Sequence, residues 1–264
     1  MKRELGVVAA TDRPWGVGLI TWAATDEVLR LVPGYGPAAV MLSFGDPAPY
    51  AAAVRESGTR LICQVQDVEG ARRPWPSTPT PSWPRGPRRA ATGAARLPLV
   101  PAVVDAVSPT PVLAAGGIMD GRGLAAALVL GAEGAVLGTR FYATPEALGT
   151  EGAKARLVEG GGDQTTRTQV FDAARGFAWP EPYTGRALRN AFLEAWSGRE
   201  DERRDADARE GFAQGQADGD PDVALVWASE GIDLISALEP AGDLVARVVA
   251  EAEAILRRAP RMIG

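Results

Sequence analysis

Apolar residues in the first half of the chain fall in short runs that carry almost no charge. Trp15-Gly-Val-Gly-Leu-Ile20, Ala38-Ala-Val-Met-Leu-Ser-Phe44 and Arg60-Leu-Ile-Cys-Gln-Val-Gln66 each read as a buried strand, the second closed by the turn Gly45-Asp46-Pro47. Pro111-Val-Leu-Ala-Ala115 and Gly134-Ala-Val-Leu-Gly138 repeat the pattern later on. Helical stretches such as Pro49–Glu56 and the Ala/Leu-rich Gly123–Leu130 lie between the strands. Uncharged strands that alternate with helices indicate βα units and a parallel sheet buried on both faces. At about 20–25 residues per unit, the predicted fold is α/β: a TIM-type (β/α)8 barrel, incomplete here, with a smaller, mainly helical second domain.

After Pro145 the pattern shifts to charged and amphipathic stretches. The expected organisation is a barrel portion over 1–145, a helical domain over 146–240 and a C-terminal helix over 241–264 packing back on the barrel. Arg199–Glu210 mixes both signs of charge and reads as a solvated helix face. Asp243 is the expected cap of the last helix, in which Leu244, Val248, Ile255 and Leu256 form one core-facing stripe.

Composition narrows the function classes. The net charge of −5 offers no basic excess to nucleic acid or anionic lipid. The single cysteine, Cys63, cannot form an internal disulfide and reads as core packing. The apolar run Leu5–Ala10 is too short for a signal or membrane segment, so the expected location is cytoplasmic. There is no histidine among 264 residues, which excludes a histidine base and leaves no expected protein-built metal site.

The candidate chemistry lies in two glycine-bearing loops. Ala114-Ala-Gly-Gly-Ile118 ends one strand, and Val136-Leu-Gly-Thr-Arg140 ends the next. Glycine lets backbone N–H groups approach an oxyanion, and helix N-termini add positive potential. Alone, Gly116 and Gly117 would make only a tight turn and Thr139 only a helix cap. Two such loops after the last two strands of a barrel make a phosphate site, with Gly116, Gly117, Gly138 and Thr139 as its residues. Gln64 and Gln66 share one strand face, opposite Cys63 and Val65, and a polar face there marks the mouth of a ligand site.

Pro111 through Phe141 resembles the nitronate monooxygenase family, formerly called 2-nitropropane dioxygenases. Related FMN barrels share part of the pattern. Ala39-Val-Met-Leu-Ser-Phe-Gly-Asp-Pro, Leu61-Ile-Cys-Gln-Val-Gln and Phe177-Ala-Trp-Pro-Glu-Pro-Tyr-Thr-Gly-Arg-Ala-Leu-Arg-Asn are similar as well. The resemblance implies non-covalent FMN, a nitronate or nitroalkane substrate with O2, and a histidine base. With FMN as the ligand, the polar strand face puts Gln64, and after it Gln66, at the flavin. The resemblance treats Trp179, Tyr183 and Arg186 as second-domain structure. It also implies that the first two barrel strands are absent, and that Gly18 stands where the family often has asparagine.

The family's histidine loop is missing. In its place runs Pro74–Gly93, with six prolines in its first fourteen residues. Reading G/C-rich codons for this stretch one base earlier gives Ala-Val-Ala-Val-Asp-Ala-Asp-Ala-Val-Val-Ala-Gln-Gly-Thr-Glu-Ala-Gly-Gly-His-Gly, a strand followed by that loop. The expectation is that residues 74 to about 93 are translated out of frame, form no barrel strand, and put Thr92 where the histidine was lost. The chain would then be an impaired FMN-dependent oxidoreductase. Two alternatives stay open: a phosphate-binding lyase or isomerase barrel, and a non-catalytic decayed family member. Flavin colour separates them.

Overall fold

Short uncharged runs become parallel strands, each followed by a helix, throughout the first half of the computed structural model, which describes residues 1–73, 88–92, 98–199 and 206–258. The strands are β1 (Gly16–Ile20), β2 (Ala39–Ser43), β3 (Arg60–Val65), β4 (Arg88–Thr92), β5 (Val112–Ala115), β6 (Gly134–Val136), β7 (Thr165–Thr168) and β8 (Gly185–Leu188). Helices α1 (Lys2–Ala9), α2 (Asp26–Leu31), α3 (Ala48–Glu56), α4 (Val68–Arg72), α5 (Leu99–Val107) and α6 (Gly121–Val129) are interleaved with the first six. They are followed by α7 (Thr139–Tyr142), α8 (Glu151–Glu159), α9 (Val170–Ala174), α10 (Ala191–Trp196), α11 (Ala206–Asp218) and α12 (Ala241–Arg258).

Six strands form one sheet in the order β1-β2-β3-β4-β5-β6, which is chain order. Strands that pair in sequence, each reached through a helix, build the wall of a TIM-type barrel, and the described residues supply six of them. The expected βα fold is therefore present.

Contacts divide the chain into two compact units. The first comprises residues 1–115 and 127–135, the second 116–126 and 136–264. The division runs through the βα unit at 115–136 rather than at residue 145. The span 146–240 also holds an antiparallel hairpin, β7 with β8, beside its helices.

In the first unit the core lies on the helix-facing side of the sheet. Leu19, Val40, Leu42, Leu61 and Cys63 meet Leu5, Leu29, Ala51 and Val54 from α1, α2 and α3. Val65 and Val112 meet Ala71, Val103 and Val107 from α4 and α5. The register sets Leu19 beside Leu42 and Leu42 beside Cys63, so one buried row crosses three strands. Each fully buried aliphatic side chain contributes about 1.5–3 kcal/mol. Cys63 is buried packing, as expected.

One expectation is corrected. Residues 74–93 were to form no strand, yet Arg88–Thr92 is β4, paired in parallel with both β3 and β5. The run of prolines ends at Pro87, and proline restricts only itself and the residue before it. The five residues that follow keep all their N–H donors and meet open ladders on both sides. Residues 74–87 and 93 lie outside the described residues, and with them most of the stretch read as out of frame.

The C-terminal helix also differs in detail. Asp243 lies inside the first turn of α12 instead of capping it; the Ala241 N–H donates to Glu146 Oε1 at 2.9 Å. Leu244, Val248 and Ala252 form the buried stripe, with Ile255 and Leu256 half-buried. This helix packs on the start of α6. A Cβ at Gly121 would stand 2.5 Å from the Ala252 nitrogen and 2.8 Å from the Val248 oxygen. Because those atoms are backbone, they cannot swing aside.

Gly121→Ala is therefore expected to destabilise the protein by about 1–3 kcal/mol through overpacking. Gly6→Ala is the opposite case: a helical glycine with nothing within 4 Å of an added Cβ, expected to stabilise by roughly 0.5–1 kcal/mol. Denaturant midpoints of the two variants should move in opposite directions from the parent.

Candidate functional site

The two glycine loops follow the C-terminal ends of the neighbouring strands β5 and β6, the end where barrel enzymes place their sites. Gly116 and Gly117 have φ of 105° and 72°, a left-handed turn open to glycine and strained for most other residues. Gly138 precedes the first turn of α7, and a Cβ there would meet no atom within 4 Å. The first N–H groups of a helix have no partner in its own ladder. The first loop thus turns at two glycines, and the second leads into a helix start with open space at Gly138.

A third segment holds them together. The Ser229 N–H donates to Thr139 Oγ1 at 3.2 Å. A Cβ at Gly231 would lie 2.9 Å from the Gly117 carbonyl oxygen and 3.2 Å from Met119. Ser229–Gly231 therefore touches both loops, and Gly117 and Thr139 converge on the same three residues. The sequence reading missed this segment. Its signals were a serine N-cap, Ser229, for the short helical turn at 230–234 and a glycine two residues later. The carboxylate of Glu230 is taken by Arg186 in an ion pair, so the segment adds no unpaired negative charge next to the loops.

An ionic chain fixes the helices behind the loops. Arg140, buried directly after Thr139, donates from Nη2 to Glu239 Oε2 at 2.9 Å and from Nη1 to the Ala143 oxygen at 3.1 Å. Arg247 grips Glu239 with two nitrogens, Nε to Oε1 at 3.0 Å and Nη2 to Oε2 at 2.8 Å, and reaches Glu251 at 2.8 Å. Glu251 in turn accepts the Gly121 N–H, the first of α6, at 2.9 Å. Asp120 caps the same helix, accepting from the Gly123 N–H at 3.2 Å and from Arg122 Nε at 2.7 Å. Burial pushes the Asp120 carboxyl up, but the Arg122 and Gly123 bonds outweigh it and hold it below the ordinary range. The Gly121 N–H and Arg247 lower Glu251, and Arg247 lowers Glu239.

Gln64 lies in the first unit, half-buried on β3 beside Ala90 of β4. Two residues on, the Gln66 Nε2 is buried without a hydrogen-bond partner among the described residues, as is Thr21 Oγ1. Phe44, at the end of β2, has φ of 58°, uncommon for a non-glycine residue. Polar atoms left without partners and a strained residue thus gather at the ends of adjacent strands, where a ligand could satisfy them. The backbone of Thr92 ends β4, in register with Ala115.

Residues 84–251 match the family described as nitronate monooxygenase. The chain is 34% identical over 275 residues to nitronate monooxygenase npaC of Metarhizium robertsii, covering 95% of this chain and 76% of that protein. It is 31% identical to a nitronate monooxygenase of Neurospora crassa, covering 94% and 75%. The chain belongs to the nitronate monooxygenase family. Solved structures similar to this family member include FabK from Thermotoga maritima, with a TM-score of 0.80 at 25% identity over 99% of this chain and 83% of that one. Nitroalkane oxidase from Streptomyces ansochromogenes gives 0.75 at 25% identity, over 98% and 84%. At the level of the nitronate monooxygenase family, the reaction is flavin-dependent oxidation of nitronates. No helix among the described residues is long and apolar enough to cross a membrane, and no acidic or thiol cluster among them could hold a metal ion.

The depressed carboxyls of Glu239 and Glu251 predict acid sensitivity. Their contribution is complete above the ordinary glutamate value of 4.5 and is lost as pH falls through their lower folded values. Unfolding midpoints measured from pH 6 down to about 3 should fall more steeply for the parent than for Glu251→Gln. Parallel curves would show that the ionic chain contributes nothing in acid.

Proposed function

We propose that this chain is an FMN-dependent oxidoreductase of the nitronate monooxygenase type that takes nitronate anions in preference to neutral nitroalkanes. The convergence of Gly117 and Thr139 on Ser229–Gly231 carries the reading. The geometry fits a phosphate monoester: glycine backbone at positive φ, a helix start, and space where a Cβ would stand at Gly138. The N–H groups at Gly116, Gly117, Gly138 and Thr139 would hold the phosphate. Gln64 and Gln66, whose polar strand face carries the expectation of a flavin contact, lie on and just after β3 of the first unit. When bound, FMN supplies the two-electron acceptor for the organic substrate and the reductant for O2.

The chain's own residues set what can react. Removing a proton from a nitroalkane carbon calls for a positioned base, and this sequence contains no histidine. Losing general-base assistance lowers the rate by about 10²–10⁴-fold. A nitronate has already lost that proton and needs only binding and orientation. The chain is thus impaired toward the neutral acid and competent toward its anion. Location in the cytoplasm and a role without nucleic-acid partners are consistent with the acidic composition and the lone buried thiol.

Two measurements test this. The chain should bind FMN and turn yellow, and should hold riboflavin, which lacks the phosphate, at least about tenfold more weakly. Oxygen uptake by the FMN-loaded chain should be at least about 100-fold faster with propyl nitronate than with nitropropane at equal concentration. Equal affinity for the two flavins would overturn the phosphate cradle. Equal rates would show that another group acts as the base. Thr92→His, at the end of β4, should raise the nitropropane rate relative to the nitronate rate.

A further inference from the structure

The second unit contains a cavity of about 850 Å³ that shares no residue with the phosphate cradle. Small-molecule pockets span about 300–1,000 Å³. Its walls are aromatic: Tyr142 from α7, Phe177 after α9, Phe212 from α11 and Trp227 before Ser229. Ala174, Ala213 and Ala217 leave the space open.

The walls are held in place before any ligand arrives. A Cβ at Gly149 would run into the Tyr142 ring, and one at Gly185 into the Trp227 ring. Both rings therefore lie flat on glycine backbone. Phe212 is packed 5.1 Å from Phe192 and 6.1 Å from Phe171, centroid to centroid, within a buried aromatic cluster. Such fixed rings lose little freedom on binding.

Two cations stand at the rim. The Arg175 guanidinium lies 4.5 Å from the Phe177 centroid and 3.7 Å from the buried carboxylate of Asp172. Arg209 nests against Gly176, whose φ is 75° and where any Cβ would collide with the guanidinium. Arg209 has no carboxylate partner among the described residues, and the exposed Glu210 beside it is the one acidic lining residue. Fixed aromatic walls, with a guanidinium at the edge that has no carboxylate partner among the described residues, match a ligand with a flat apolar body and an anionic group.

We propose that this cavity binds a planar aromatic anion, its rings against Tyr142, Phe212 and Trp227 and its charged group on Arg209. This assignment does not depend on the flavin reading. Calorimetric titration of the full chain with 2-naphthoate and with the neutral 2-naphthalenemethanol tests it. The naphthoate should bind at least about tenfold more tightly than the alcohol. Arg209→Gln, at an exposed position, should abolish that preference and leave the alcohol affinity unchanged. Ala213→Phe and Ala217→Leu each fill the cavity and should remove both ligands while circular dichroism shows the fold intact; if one fails to fold, the other decides. Absence of naphthoate binding, undiminished binding to a filled and folded variant, or a preference that survives Arg209→Gln would overturn the proposal. Displacement of naphthoate by inorganic phosphate would place the anion in the cradle and overturn it as well.

Discussion

Arg140 is a cation that water hardly reaches, with 4% of its side chain exposed. Burial pushes its guanidinium pKa down, and the Glu239 carboxylate opposes that shift. A buried charge left without its partner is strongly destabilising. Glu239 must therefore sit where it does, and Arg247, bidentate on Glu239 and bonded to Glu251, carries the requirement along α12 to the first N–H of α6. The two glycine loops immediately precede the two helices pinned by this chain of charges. A displacement of either helix would strand a charge. Such a network adds little net stability over an apolar equivalent, but it permits one arrangement and penalises neighbouring ones.

Position alone does not make an anion site; the local field must also be permissive. Glu230 lies between Ser229 and Gly231, the residues that join the loops, and an unpaired carboxylate there would repel a phosphate. Arg186, projecting from β8, takes that carboxylate. The antiparallel hairpin, which the sequence offered no reason to expect within a helical region, thus acts on the electrostatics of the loops. It supplies a cation from a rigid strand, where an arginine on a loop would have more freedom to lose.

The parallel strands were legible because a strand buried on both faces leaves a composition that periodicity detects. Ala39–Ser43, Arg60–Val65 and Val112–Ala115 fall within a residue or two of their expected limits. β4 was illegible for the converse reason. Arg88-Arg-Ala-Ala-Thr92 carries neither an apolar run nor a period of two, and only the open ladders of β3 and β5 make it a strand. Tertiary context overrides propensity in such cases. Long-range partners were equally hidden. No local pattern announces that Glu146 caps α12, that Glu251 caps α6 from 130 residues away, or that Ser229 meets Thr139. The glycine turns were readable because backbone conformation is encoded locally. The segment that joins them was not, because its contacts are encoded elsewhere.

That contrast bears on which features of a site reside in the backbone and which in single side chains. A cradle made of N–H groups depends on main-chain conformation, so it tolerates change in any side chain that does not break the turn. Gly116 and Gly117, at φ of 105° and 72°, are its sensitive points, and both are glycine here. A proton acceptor, by contrast, rests in one side chain and vanishes with one substitution or one shift of reading frame. Between Pro74 and Gly93 the run of prolines gives way to β4, which pairs with both β3 and β5. Backbone pairing makes a strand there from a sequence that carries no strand pattern of its own. A main-chain turn and a single reacting side chain thus answer to different kinds of sequence change, because one is a property of backbone conformation and the other of one residue's identity.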